Sequence, residues 1–233
     1  MGGRCLKPHP IMTIEFKDAA LYYKEEQHQV EAWDWLQYAV EADIIEEFAQ
    51  RYRTPLPNTS SNPLNVPYQS QNDNLSGTGY RECFSSSMAM VAMYWGRVDN
   101  DDEYNTIRAT HGDSTSAEAQ IATLKELGLN PRFVTNASKQ FIINELDAGR
   151  PCGVGWLHKG TIYSPSGGGH WSVAVGYDRD NVVHHDPNGV ADLIHGGYTG
   201  DVDGAFVKYP FKNWLPRWTV NSPNDGWAMQ IKP

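Results

Sequence analysis

Apolar residues in the first part of the chain recur every three to four positions. Over residues 14–53 these positions are Ala32, Trp33, Leu36, Ala39, Ile44, Ile45, Phe48 and Tyr52. Such spacing places apolar side chains on one helix face and predicts short helices. Residues 54–67 hold four prolines among small polar residues and cannot continue a helix. We therefore predict a small helical segment over residues 1–53, which could bind a cell wall or cap the main domain, and a linker over residues 54–65.

The pattern of the remaining domain, residues 66–233, changes from helical to alternating. Helical periodicity occurs at residues 84–95, near 116–127 and near 138–148. Strand patterns bounded by Gly, Asp, Asn and Pro follow at residues 152–157, 170–177, 181–185, 204–209 and 227–231. Helices first and mainly antiparallel strands afterwards indicate an α+β fold.

Cys83 lies where a polar, glycine-containing loop becomes the first of these helices. Residues 88–95 are apolar on every side, which is typical of a buried central helix. At a helix start, unpaired backbone N–H groups and the positive end of the macrodipole favour a thiolate over a thiol. A small buried hydrophobe is the other interpretation of a free cysteine. The residues that accompany Cys83 in the fold decide between the two.

Residues 166–189 contain two short strand patterns on either side of the turn-forming residues 178–181, and they predict a β-hairpin. In this register His170 faces the neighbourhood of Asp186, so that a carboxylate can hold the far ring nitrogen of the imidazole. The same strand face carries small residues. We expect the cysteine helix to pack against that face, which carries Ser172, Ala174 and Gly176.

Each of these residues alone has a structural explanation. A strand histidine is often a satisfied core residue, and an Asp-Pro pair is often a turn. Together, however, a cysteine at a helix start, a histidine after three glycines and a facing aspartate fit covalent catalysis. We therefore predict Cys83 as nucleophile, His170 as base and Asp186 as the residue that orients the base.

Composition and charge narrow the classes of function. The chain has 40% hydrophobic and 20% charged residues, which is typical of a folded globular protein. Its formal net charge of -9 argues against nucleic acid or an anionic membrane as the main partner. No stretch is apolar enough for membrane insertion, and the first residues lack the apolar centre of a signal peptide. The three cysteines form neither a disulfide framework nor a Cys-x-x-Cys zinc pair.

Four segments resemble papain-like cysteine peptidases, in particular the bacteriocin-processing, double-glycine leader peptidases and their stand-alone relatives in bacteria and phages. These segments are residues 66–71, 83–96, 169–177 and 186–187, in the family's order of Cys, His and Asp. The resemblance spans about residues 64–231. It implies a papain-like fold, with a central N-terminal helix packed on an antiparallel sheet, no cofactor, and Gln71 in the oxyanion hole.

One departure follows the nucleophile, where relatives often have Gly-Pro and this chain has Phe84-Ser85. The Cys-Phe-Ser-Ser-Ser form and residues 112–120 are similar to phage-encoded lytic members, and residues 22–37 look like a helical module that accompanies them. This resemblance implies a phage endolysin or a virion-associated endopeptidase. The substrate would be a bacterial peptidoglycan peptide or another peptide. The enzyme itself would stay in the host cytoplasm before lysis or be carried in the virion.

Two other classes of function stay open. The domain could be a catalytically inactive papain-like module that serves as a structural or binding component of a phage particle. It could also be a metal-dependent hydrolase that uses His184, His185 and Asp186, with His158 or His195. Neighbouring strand residues point to opposite faces, which disfavours the metal set. Residues 99–103 are acidic, but they lack the spacing of an EF-hand loop and are typical of a solvated turn.

Overall fold

The structure, a computed structural model, describes residues 62–200 and 203–233. The helices are α1 (Cys83–Tyr94), α2 (Asp101–His111), α3 (Ala117–Glu126), α4 (Lys139–Asp147) and α5 (Phe211–Trp218). The strands are β1 (Asn130–Ala137), β2 (Cys152–Trp156), β3 (His170–Tyr177), β4 (Asn181–His185), β5 (Val207–Pro210) and β6 (Gly226–Lys232). The predicted helical segment, residues 1–53, lies outside the described residues. None of the described helices has the length and apolarity to cross a bilayer.

The six strands form one sheet in the order β1-β6-β2-β3-β4-β5, with every neighbouring pair antiparallel. Four helices precede most of the strands along the chain, so the predicted α+β class is confirmed. Strand β3 lies near the middle of the sheet and is buried along its whole length. His170, its first residue, is therefore held in the buried interior of the fold.

Residues 62–65, the end of the predicted linker, lie within the described part and pack on β3. Leu64 is buried, and its backbone N–H donates to the carbonyl of Val175 at 2.7 Å. The Asn62 side chain donates to the carbonyl of Tyr177 and accepts from its N–H, at 2.7 and 2.9 Å. These bonds satisfy strand groups beside an irregularity in the β3–β4 pairing. The boundary between linker and domain stays a prediction.

Helix α1 is buried along most of its length, as its apolar sequence predicts, and residues 88–92 have no exposed surface. It packs on the sheet through β3 and β2, and on β2 a side chain at Gly153 would overlap the Met88 side chain. At its start, Phe84 stacks on Trp171 of β3. Glycine on β2 therefore makes room for the helix.

The face of β3 that carries Ser172 contacts other partners. Ser172 accepts a hydrogen bond from Trp156 Nε1 and bonds to His184, at 2.9 and 2.8 Å. Our expectation that α1 packs against Ser172, Ala174 and Gly176 was therefore wrong. These small residues lie on the opposite face, where Trp156 and His184 pack beside Ser172 and where Asn62 and Pro63 lie against Gly176.

The predicted hairpin forms between β3 and β4. Val173 pairs with His185, within the predicted register, and beyond the irregularity Gly176 pairs with Val183, one residue out of step. The bounds of both strands agree with the pattern-based ranges. Asp178 accepts the backbone N–H groups of Asp180 and Asn181 and closes the turn tightly. The irregularity between Ala174 and Gly176 then brings the rest of the hairpin into the predicted register.

Three elements were missed: helices α2 and α5 and strand β1. Helix α5 contains Pro216, and a proline inside a segment argues against a helix. Within the acidic stretch 99–103, residues 101–103 form the first turn of α2, and Asn100 caps it by accepting the N–H of Glu103 at 2.9 Å. Strand β1 lies at the sheet edge and has several exposed positions. A helix start rich in Asp and an edge strand with Pro131 both lack the apolar periodicity on which sequence-based prediction depends.

The buried His184 predicts a loss of stability in acid. It has no exposed surface, and burial lowers its pKa to about 3. The unfolded chain takes up this proton near pH 6.5, so the free energy of unfolding should fall as the pH drops from about 6.5 towards 3. His158, whose pKa burial lowers to about 4, acts in the same direction.

We expect a His184→Leu variant to be less stable than the original chain at pH 7 by about 1–2 kcal/mol, because Ser172 loses a hydrogen-bond partner. Between pH 6 and 4, however, its stability should decline less steeply. Urea unfolding at pH 7, 5 and 4 measures both quantities. Parallel pH dependences for the two proteins would show that His184 does not control acid stability.

Candidate active site

Cys83 is the first residue of α1 and is half-buried. Burial raises the pKa of its thiol. The hydrogen bond and positive charge of His170, followed by a hydrogen bond from the Trp171 backbone, outweigh burial, so the pKa of Cys83 lies below its ordinary value. The thiolate form is therefore favoured at the helix start, where backbone N–H groups are unpaired.

His170 is the first residue of β3, and its Nε2 lies 2.8 Å from Oδ1 of Asp186. Burial opposes a charge on this ring. The negative charge of Asp186 and its hydrogen bond, aided by Cys83, outweigh burial and raise the pKa of His170 to about 10. Because Nε2 is held by Asp186, Nδ1 is the ring nitrogen left for Cys83. Thiolate and imidazolium thus stabilise each other near neutral pH.

Asp186 follows β4 and is completely buried. Oδ2 accepts a hydrogen bond from the Tyr209 hydroxyl at 2.9 Å, and Oδ1 accepts the backbone N–H of Asn188 at 3.1 Å. Tyr198 approaches both oxygens at 3.4 Å. These donors fix the direction in which the buried carboxyl group points. Sequence reasoning missed both tyrosines, since only the pairing of β4 with β5 brings Tyr209 to the site.

Three aromatic rings pack edge-on against the imidazole of His170. They belong to Trp156, His158 and Tyr198, at centroid distances of 5.3, 5.7 and 5.5 Å. Such packing leaves the ring only 3% exposed and holds it in one plane. The hydrogen bond to Asp186 selects the orientation within that plane.

Gln71 is buried and begins a short 3₁₀ helix, Gln71–Asp73. Its backbone N–H donates to the carbonyl of Pro187 at 2.9 Å, and its Nε2 donates to the carbonyl of Gly79 at 2.8 Å. It is therefore tied both to the residue after Asp186 and to the loop that precedes Cys83. One Nε2 hydrogen is used by Gly79, which leaves the second free to donate to an oxyanion.

Glu82, directly before Cys83, organises that loop. It accepts hydrogen bonds from Asn74, Ser76 and Thr78 at 2.7, 2.7 and 2.9 Å. Burial raises the pKa of this carboxyl, but the three donors outweigh burial and lower it overall. A charged, fully bonded Glu82 therefore anchors the backbone that leads into the nucleophile. Sequence reasoning did not single it out.

The structure thus brings Cys83, His170 and Asp186 together and places Gln71 between the loops beside them. A family model described as Peptidase_C39 like family matches residues 63–199, more than half of the chain. The chain belongs to this family. The predicted resemblance to papain-like, bacteriocin-processing peptidases is therefore confirmed, and the protein is a C39-like cysteine peptidase, an enzyme that cleaves peptide bonds. A search among curated proteins found no match.

Three solved structures resemble this C39-like peptidase. A putative C39-like peptidase from Bacillus anthracis is 16% identical, with 72% of this chain and 96% of that chain covered and a TM-score of 0.50, which supports the shared fold. A double glycine motif protease from an AMS/PCAT transporter, in complex with the leader peptide, is 16% identical, with 75% and 96% covered and a TM-score of 0.48. The peptidase domain of Streptococcus ComA, a bifunctional ABC transporter involved in a quorum sensing pathway, is 18% identical, with 66% and 93% covered and a TM-score of 0.46.

The histidines of the alternative metal set do not converge in the C39-like peptidase. His185 donates through Nε2 to the carbonyl of Val66, and its Nδ1 accepts from Phe206, whereas His184 bonds to Ser172 on the other face of the sheet. Across residues 62–200 and 203–233, no three His, Cys, Asp or Glu side chains are arranged to hold a metal ion. The alternation of strand side chains explains this separation.

The depressed pKa of Cys83 predicts selective alkylation of this peptidase. We expect iodoacetamide to modify Cys83 at pH 6 at least about tenfold faster than an ordinary thiol, which is almost fully protonated there. Cys152 is fully buried, and burial raises its pKa, so it should stay unmodified in the folded protein. Peptide mass spectrometry after timed alkylation measures both rates. Equal rates for Cys83 and Cys152 would contradict an activated thiolate.

Proposed function

We propose that Cys83 is the nucleophile, that His170 is the acid and base, and that Asp186 orients His170. The Cys83 thiolate attacks the carbonyl carbon of a peptide bond, and the protonated His170 then gives its proton to the leaving amine. Water, deprotonated by the now neutral His170, attacks the resulting thioester and releases the carboxylic acid half of the cleaved peptide. The cycle returns sulfur and imidazole to the charged pair, and no step requires a metal ion.

The negative charge that develops on the carbonyl oxygen needs donors in place. We assign this role to the backbone N–H of Cys83 and to the second Nε2 hydrogen of Gln71. The first donor lies at a helix start, where N–H groups have no helical partner. The second is held by the bond from Gln71 to Gly79, which fixes the amide plane. Fixed donors stabilise an oxyanion without reorganisation during the reaction.

The single observation that carries this assignment is the buried hydrogen bond between His170 and Asp186, at 2.8 Å. A core histidine without a catalytic role would be expected to be neutral. This one is instead matched to a buried carboxylate on one side and to a cysteine on the other. The imidazolium therefore holds, beside the reacting sulfur, the proton that the leaving amine must receive.

For the substrate we propose peptide stems or cross-bridges of bacterial peptidoglycan, cleaved by a phage-type endolysin or a virion-associated endopeptidase. The support is the resemblance of residues 83–87 and 112–120 to phage lytic members. These two segments touch in the fold, since Gln120 donates to Ser85 Oγ at 2.9 Å and to the carbonyl of Ser114 at 2.8 Å. The resemblance therefore concerns one packed unit behind the nucleophile. Such an enzyme would act from the host cytoplasm at lysis or from the virion.

Digestion of purified peptidoglycan tests the proposal. The original chain should release new amines and carboxyls, and mass spectrometry of the fragments identifies the bond. Cys83→Ala should release none, whereas Cys152→Ala, a matched replacement of the other described cysteine, should behave as the original. A peptide that ends in a double-glycine motif serves as the second substrate, since the AMS/PCAT homologue was solved with a leader peptide.

Two other outcomes would contradict the proposed substrate or the proposed activity. Cleavage of the leader-type peptide with intact peptidoglycan would overturn the wall substrate while keeping the chemistry. An inert chain with both substrates, together with a Cys83 that alkylates as slowly as an ordinary thiol, would support a non-catalytic component of a phage particle.

A further inference from the structure

The residues that directly follow the two reacting side chains are stacked on each other. Phe84 follows Cys83, and Trp171 follows His170. Their rings are parallel within 5°, with centroids 3.7 Å apart. Both are buried, with 2% and 9% of their surface exposed. This contact joins the first turn of α1 to the first residues of β3.

The Trp171 ring is held from two further directions. It lies over Gly155 on the neighbouring strand β2, where an added Cβ would come within 2.9 Å of the ring. Phe133 of β1 contacts it from the side, with centroids 5.8 Å apart. The indole therefore cannot slide along the sheet, and Phe84 rests on a fixed surface. Because a close-packed contact has little room to relax, the position of one ring fixes the position of the other.

We propose that the Phe84–Trp171 stack is a positioning pair that sets the separation between the Cys83 sulfur and the His170 ring. The inference rests on the proposed roles of Cys83 and His170. Cys83 begins helix α1 and His170 begins strand β3. No ladder of backbone hydrogen bonds between these two elements sets the distance from sulfur to imidazole. One peptide unit separates each ring from the reacting residue. A shift of either ring therefore moves the sulfur relative to the imidazole.

Ordinary core packing would lower the free energy of unfolding when the stack is lost. A positioning role predicts a second effect: a variant that has lost the stack should react more slowly at Cys83 even while it is folded.

The test measures alkylation of Cys83 by iodoacetamide from pH 5 to pH 9, followed by peptide mass spectrometry, at a temperature where each variant is folded by near-UV circular dichroism. The variants are Phe84→Leu, Trp171→Leu, the double variant and Trp171→Phe. The control is Trp218→Leu, which removes another buried stack, that with Trp214 in α5, with centroids 4.9 Å apart.

We expect each leucine variant to alkylate about tenfold more slowly at pH 6, which corresponds to a displacement of the pH profile by about one unit. The double variant should be no slower than the slower single variant, because the two rings act as one unit. Trp171→Phe retains an aromatic face but has a smaller ring, and it should alkylate about two- to threefold more slowly. Trp218→Leu should stay within about twofold of the original chain.

Unchanged profiles in folded Phe84→Leu and Trp171→Leu would overturn the proposal, as would losses that multiply in the double variant. If the leucine variants do not fold, Trp171→Phe decides, because its smaller ring should slow alkylation measurably and an unchanged rate refutes the positioning role. Failure of the proposed function looks different. In that case the original chain itself would alkylate with the pH dependence of an ordinary thiol.

Discussion

Replacing Cys83 by alanine is expected to lower kcat for peptide-bond hydrolysis by about 10⁴-fold or more, because the group that forms the thioester is lost. The free energy of unfolding should change by less than about 1 kcal/mol, since the thiol is only half-buried. Initial rates on the cleaved substrate and urea unfolding measure the two effects.

A serine at position 83 should be nearly as inactive as alanine. In the original chain the pKa of His170 is about 10, and the charge and hydrogen bond of Asp186, which raise it most, remain in the serine variant. His170 therefore still favours its protonated form, which cannot take a proton from a hydroxyl group. The thiolate needs no such transfer, because the charged pair is its resting state. A Cys83→Ser variant that retained more than about one hundredth of the activity would show that His170 is neutral in the free enzyme. Cys152→Ala is the matched control.

The second large effect is expected for Asp186→Asn, which should lower kcat/KM by about 10²- to 10⁴-fold. Every group around the carboxylate donates a hydrogen bond: His170 Nε2, the N–H of Asn188 and the hydroxyl of Tyr209. The Tyr209 oxygen in turn accepts the N–H of Ala191. An amide must direct its own NH₂ group at one of these donors, so it fits poorly whichever way it turns.

The same substitution should change the pH dependence in a defined direction. Loss of the Asp186 charge lowers the pKa of His170 from about 10 towards its usual range, so the imidazolium disappears at lower pH. Cys83 then loses the positive charge that depresses its own pKa, and its alkylation profile should move to higher pH. An unchanged profile in a folded Asp186→Asn protein would mean that Asp186 does not maintain the charged pair.

Tyr209→Phe is a smaller change at the same carboxylate. It removes one donor to Asp186 and leaves the hydrogen bond to His170 in place. A smaller loss, about tenfold in kcat/KM, is expected, because Tyr198 and the Asn188 N–H remain near the carboxylate. If Tyr209→Phe were as damaging as Asp186→Asn, the tyrosine itself would have to act directly in the reaction.

Elements with strong periodicity or strong turn chemistry could be predicted. Helix α1 is apolar all round, and the hairpin of β3 and β4 is closed by an Asp-rich turn, so both follow from local residues. Helix α2 and strand β1 could not be predicted in the same way. One begins with three acidic residues, of which Asp101 is buried only by the fold, and the other is an edge strand with partly exposed positions. In both cases burial against the rest of the fold decides the conformation.

The residues proposed for catalysis were identifiable because each carries a local signal. Cys83 marks a helix start, and His170 and Asp186 mark the two strands of one hairpin, so that short-range geometry already relates two of the three. The groups that tune them carry no such signal. Tyr209, Tyr198 and Glu82 look like ordinary residues until distant segments pack around the site.

The sequence by itself determined the α+β class, the central helix and the hairpin, because hydrophobic periodicity and turn residues act over a few neighbouring positions. Only the tertiary structure decided which sheet face receives α1, where Gly153 leaves room for Met88. It also decided the charge state of the site. A pKa depends on every donor and charge within a few ångströms, and for His170 those groups are Asp186, which follows β4, and Cys83 at the start of α1.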